Sequence, residues 1–91
     1  MQRTVSITVT GRVQGVFYRQ STKEKAQEFA ITGEVRNNSD GTVSIIATGE
    51  RDNLDKLISW CHIGPPRAQV VSVVVTDVER REFLGFEVKR G

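Results

Sequence analysis

From Val5 to Val9 the chain alternates apolar and polar residues, "VSITV", the period-two signature of a half-buried strand that ends at Gly11. From about Tyr18 the period lengthens. Tyr18, Thr22, Ala26, Phe29 and Ala30 recur at helical spacing, and "KEKAQE" supplies strong helix formers and a solvated face. Gly33 is expected to stop that helix. "EVRNN" and "TVSIIAT" then flank "SDG", a strand–turn–strand signal, and Val43, Ile45 and Ala47 share one face of the second strand. Leu54, Leu57, Ile58 and Cys61 stand at i, i+3, i+4 and i+7, which predicts a second amphipathic helix. "GPP" from Gly64 to Pro66 ends it, because proline lacks the N–H and disfavours helical geometry in the residue before it. "AQVVSVVVTDV" reads as a long strand and "GFEVKR" as a short last one.

The order is βαββαβ with an added terminal strand. It fits a ferredoxin-like α/β (α+β) sandwich, an antiparallel sheet with two helices on one face. In the strand order 4-1-3-2, strands one and two run parallel with the third between them. The loop after strand one, "GRVQGV", and the end of strand two, "VRN", then face each other at the same end of the sheet. Two strand spacings of ~4.8 Å separate them by roughly 10 Å, room for a phosphate-sized group and a water.

Composition narrows the classes. With 91 residues, 37% hydrophobic and 26% charged, the chain reads as one folded domain, 1–91, with a modest core. The net charge of +2 suits a small anionic ligand, but basic and acidic residues are interspersed, unlike a nucleic-acid surface. A single cysteine, Cys61, and a single histidine, His62, leave no donor set for a disulfide framework or a zinc site. No apolar run approaches the ~20 residues of a membrane span, and the first residues lack a signal-peptide pattern. The expectation is a soluble cytoplasmic protein, monomeric in its simplest form.

Candidate chemistry lies in "TGRVQGVFYR". A glycine-bearing loop that opens a helix aims unpaired N–H groups and the positive end of the helix dipole at one point. Gly11 and Gly15 allow close backbone approach, and Arg19, near the first helical turn, can add a bidentate charge. The bland alternative is a tight connector with a surface arginine. A Walker loop needs lysine then serine or threonine after its last glycine, and that pair is absent. For Asn37 the bland alternative is a turn residue of "NNSDG".

Three segments together carry a resemblance. "GRVQGVFYR", "GEVRNNSDGTV" and "GPPRAQV" occur in order at compatible spacing, and the chain from about Val5 to Val88 closely resembles the acylphosphatase family. The resemblance implies the ferredoxin-like fold and hydrolysis of acyl phosphates to carboxylate and inorganic phosphate. It implies that the loop Gln14, Gly15, Val16, Phe17 and Tyr18 binds phosphate through backbone amides. It further implies that Arg19 clamps the phosphate and that Asn37 positions the attacking water, with no cofactor. Its partners would be a small-molecule acyl phosphate and its phosphate product, with no nucleic acid and no membrane. One departure stands out: the family often has an aromatic residue where this chain has Glu34. By alternation Glu34 and Arg36 share the face opposite Val35 and Asn37, so the change falls on a surface away from the water-positioning residue.

Other residues read as packing or solvated charge. Cys61 completes an apolar stripe, His62 sits at a helix C-terminus, and Glu79 and Glu82 flank "RR" in a turn. Two further function classes are weaker. One is a phosphate-sensing or carbamoyl-phosphate-binding module with little turnover. The other is an RNA-binding ferredoxin-like module, for which the aromatic-rich central-strand pattern is missing.

Overall fold

A computed structural model of the chain describes residues 1–90. Seven elements follow in order: β1 (Gln2–Arg12), α1 (Tyr18–Glu28), β2 (Thr32–Asn37), β3 (Val43–Glu50), α2 (Arg51–Cys61), β4 (Gln69–Val78) and β5 (Phe86–Val88). They build one sheet in the order β4-β1-β3-β2-β5. The first four strands take the expected 4-1-3-2 order, with every pairing among them antiparallel. The terminal strand β5 adds outside β2 and runs parallel to it, pairing Gly33, Glu34 and Val35 with Phe86, Glu87 and Val88. The sheet is therefore mixed, an antiparallel four-stranded unit extended by one parallel edge strand.

One face of the sheet makes the core. Val5, Ile7 and Val9 of β1, Val35 of β2 and Val43, Ile45 and Ala47 of β3 are buried. They cluster with Tyr18 and Ala26 of α1 and Leu54, Leu57 and Cys61 of α2. Period two on the strands and period 3.6 on the helices thus meet in one layer. Burying each such aliphatic side chain contributes about 1.5–3 kcal/mol. Glu34 and Arg36 lie on the other face, where their side chains pair at 3.1 Å, while Val35 is fully buried between them in sequence.

The end of α1 departs from the pattern reading. The helix stops at Glu28, and Ala30, not Gly33, takes the left-handed turn, with φ 56°. The Ile31 N–H donates to the Ala26 carbonyl at 2.8 Å and the Ala30 N–H to that of Gln27 at 3.2 Å, the paired bonds of a Schellman motif. Buried Ile31 and Ala26 sit at the two positions whose apolar contact commonly completes that motif. Alanine accepts a conformation that usually calls for glycine because the local hydrogen bonds and the burial of Ile31 together outweigh the strain.

Gly33 serves a different purpose. It lies inside β2 opposite Ala47, with φ 148°, and a Cβ there would strike the carbonyl oxygen of Ile46. Its glycine lets β2 approach β3 closely at the point where β5 also joins. At the opposite edge β4 leaves Val71 and Val74 exposed. A register shift between Thr10 and Gly11 and an Arg3–Asp77 ion pair at 2.6 Å interrupt the regularity of that edge.

Gly33→Ala is expected to destabilise the fold by more than about 1 kcal/mol, since the substituted residue meets both positive φ and the backbone of β3. Gly85→Ala, where an added Cβ meets open space, should stay within about 0.5 kcal/mol. Urea unfolding of both variants beside the parent checks the pair.

Candidate active site

The strands β1 and β2 end at the same pole of the sandwich, on either side of β3. The connection from β1 into α1 and the last residue of β2 there enclose a cleft of about 460 Å³. Gly15, Phe17, Tyr18, Arg19 and Asn37 line it, together with Val13, Gln20, Val88 and Arg90.

The loop is built from alternate pins and turns. Val13 and Val16 are buried in the core, and between them Gly15 turns outward with φ 73°. Phe17 follows in the left-handed region with φ 65°, at the N-cap of α1, without a side-chain cap. Left-handed residues set among ordinary ones curl successive N–H groups toward a common point, a concavity suited to anions. None of the backbone N–H groups from Gly15 to Gln20 finds an acceptor among the described residues. These donors coincide with the positive end of the α1 dipole.

Gln14 braces the loop from behind. Its Nε2 donates to the carbonyls of Asn38 at 2.8 Å and Thr42 at 2.9 Å, tying the loop to the β2–β3 turn. That turn is itself closed by Asn38 Nδ2 donating to Thr42 Oγ1 and Ser44 Oγ. Two hydrogen bonds from Thr42 hold the Asp40 carboxyl below its usual range. The side chains of Gln14 and Val16 thus face away from the cleft, and only their backbone groups belong to the loop surface.

Tyr18 anchors the start of α1. Its ring packs on Trp60 with centroids 5.3 Å apart, and its hydroxyl donates to the Cys61 carbonyl at 2.7 Å. Gly64 leaves room for that ring, since a Cβ there would come within 2.8 Å of it. Burial pushes the Tyr18 phenol far above its ordinary pKa and the Cys61 thiol up to about 12. Both are structural groups at neutral pH. His62, next along the chain, bonds the Ile58 carbonyl through Nδ1 at 3.0 Å.

Arg19 extends from the first turn of α1 and donates one N–H to the Lys89 carbonyl at 2.8 Å, just beyond β5. A guanidinium has five donors, so this single bond orients it while leaving most of its fork for an anion. Asn37, at the end of β2, lines the cleft with its Oδ1 buried and unpartnered. An orphaned buried acceptor costs about 1–3 kcal/mol, and such groups concentrate where a ligand or water completes them. Among the described residues, no carboxylate, histidine or thiol lines the cleft.

Of the seven site residues that the resemblance implied, Gly15, Phe17, Tyr18, Arg19 and Asn37 line this one cleft, whereas Gln14 and Val16 do not. The sequence reading missed Val88 and Arg90 as lining residues and the Lys89 carbonyl as the brace on Arg19. The weak signal for these was "GFEVKR", a possible strand whose partner no local pattern reveals.

Sandwich, unpaired loop donors and cationic fork define a small α/β fold with a polar cleft at one end of its sheet, of a shape and charge suited to an anion. The acylphosphatase family model matches residues 5–88. An acylphosphatase of Trichormus variabilis is 48% identical over 86 residues, covering 94% of this chain and 85% of the relative. The structure of an acylphosphatase from Coxiella burnetii superimposes with a TM-score of 0.94 at 40% identity, covering 97% of this chain and 93% of the other. A crystal structure of an acylphosphatase from Bacillus subtilis gives 0.93 at 31% identity, covering 99% and 100%. The chain belongs to the acylphosphatase family.

Because the unfolded thiol ionises near its ordinary value while buried Cys61 stays protonated to about 12, stability is full below pH ~9 and falls as pH rises toward the folded value. Native Cys61 should resist a thiol-specific disulfide reagent at pH 8 and react only as denaturant unfolds the chain. Fast labelling of the folded protein would contradict its burial.

Proposed function

We propose that this chain hydrolyses acyl phosphates, carboxyl–phosphate anhydrides, to a carboxylate and inorganic phosphate. Family membership supports the reaction class. The observation that carries the reading is the convergence of unpaired loop N–H groups, Arg19 and Asn37 on one cleft.

In this reading the phosphoryl oxygens sit in the loop from Gln14 to Tyr18, held by backbone N–H groups and the fork of Arg19. Water attacks phosphorus in line with the bond to the acyl oxygen. The new P–O bond forms as the anhydride bond breaks, and its electron pair leaves with the carboxylate. Charge gathered on the equatorial oxygens meets donors that are already oriented, so little reorganisation is needed at the moment of reaction.

Asn37 orients the water. A carboxamide has no basic pKa near neutrality, but its oxygen accepts a hydrogen bond. Rotation of the terminal amide by 180° exchanges Oδ1 and Nδ2, and with Oδ1 toward the cleft it holds the nucleophile. The water's proton passes to the substrate phosphate or to bulk water, since no described residue lining the cleft offers a carboxylate or imidazole to take it. The same lining offers no donor set for a metal. A carboxylate is a good leaving group, so positioning and charge stabilisation suffice without one.

Arg19→Ala is expected to lower kcat/KM for acetyl phosphate by about 10²–10³, the scale of losing a preorganised charge donor. Asn37→Ala should lower kcat by roughly 10² or more with phosphate affinity nearly intact, because it holds only the water. A chelator should leave the parent's rate unchanged. Hydrolysis followed by phosphate release checks all three, and phosphate binding without turnover would point instead to a binding module.

A further inference from the structure

Phe17 combines two costs that glycine at the same position would avoid. Its φ of 65° lies in the left-handed region, which bulky residues rarely adopt, and the residue is 75% exposed. Single exposed apolar side chains are ordinary, and Ile63, Val71 and Leu84 are others in this chain. Of the exposed large apolar residues, however, Phe17 is the one that lines the cleft among the described residues. Strained residues of this kind concentrate where a ligand binds.

The cleft is also larger than phosphate requires. About 460 Å³ falls in the range that accommodates an organic ligand. Loop amides, Arg19 and Asn37 occupy the phosphate end in the reading above. The lining that remains holds the apolar residues Phe17, Val88 and the almost wholly buried Val13, with Gln20 and Arg90 beside them, and no carboxylate among the described residues. The left-handed turn at Phe17 explains how one residue serves both ends. It leaves the Phe17 N–H without an acceptor among the described residues and the side chain outside the core, while the neighbouring Tyr18 is buried.

We propose that the Phe17 ring is the acyl-recognition surface of this site, stacking on the organic part of the substrate and favouring planar apolar acyl groups over small ones. This rests on the hydrolase reading for the nature of the phosphate-bearing ligand. Phe17 sets specificity through its side chain, separately from any role of its amide. Offset stacking and edge contacts between aromatic groups supply the selectivity, and the ring loses little entropy on binding because its backbone and N-cap position already constrain it.

The test separates recognition from turnover by using two phosphonates that cannot be hydrolysed. The parent should bind benzylphosphonate roughly three- to tenfold more tightly than methylphosphonate, on the scale of an aromatic pair. Phe17→Tyr should keep that ratio. Phe17→Leu should reduce it, and Phe17→Gly, which relieves the backbone strain and so preserves the loop, should bring it close to one. No preference in the parent, or an unchanged ratio in Phe17→Gly, overturns the proposal. Turnover of acetyl and benzoyl phosphate by the same proteins judges the hydrolase reading on its own. A selective site without turnover would sink only that reading, whereas turnover with a ratio indifferent to residue 17 would sink only the role of the Phe17 ring.

Discussion

The buried contact of Tyr18 with the end of α2 is the constraint on which the rest of the site depends. The loop between β1 and α1 gains few internal hydrogen bonds, since its N–H groups from Gly15 to Gln20 find no acceptor among the described residues. Such a loop holds its shape only if both ends are fixed. β1 fixes one end through its pairing with β3 and β4. Tyr18 fixes the other, with its ring against Trp60 and its hydroxyl on the Cys61 carbonyl. That carbonyl belongs to the last turn of α2, where the helix has no N–H to offer it. One hydrogen bond therefore satisfies a helix end and sets the starting point of another helix.

From that anchor the chemistry follows by direction. Tyr18 points inward, so Phe17 before it is carried outward and Arg19 after it reaches across the cleft toward β5. Gln14 closes the remaining degree of freedom by bonding two carbonyls of the β2–β3 turn. The same turn continues from Asn37, so the loop and Asn37 are held to one another through a few short polar contacts. Preorganisation here is a matter of satisfied side chains around deliberately unsatisfied backbone.

Much of the fold was legible because periodicity reports which face of an element is buried. Val5, Ile7 and Val9, then Leu54, Leu57 and Cys61, named their own core faces. The alternation that separated Glu34 and Arg36 from Val35 and Asn37 also held, so an acidic residue at a position often aromatic in the family lies on the surface away from the cleft. Gly33 was misread because glycine permits both a helix stop and a close strand approach. Which one it serves depends on β3, through the Ile46 carbonyl that leaves no room for a Cβ. Ala30 escaped notice for the converse reason: its left-handed turn is stabilised by the burial of Ile31, not by its own identity.

By itself the sequence determined the strand and helix periods, the 4-1-3-2 arrangement and the loop residues able to face an anion, because these follow from local geometry and from rules of chain connection. Only the tertiary structure decided that β5 joins parallel to β2, that the Lys89 carbonyl orients Arg19, and that Val88 and Arg90 complete the cleft. Those contacts join residues some fifty to seventy positions apart. Nothing in the spacing of a chain encodes such a meeting; it arises when a short strand finds the free edge of β2 and not that of β4.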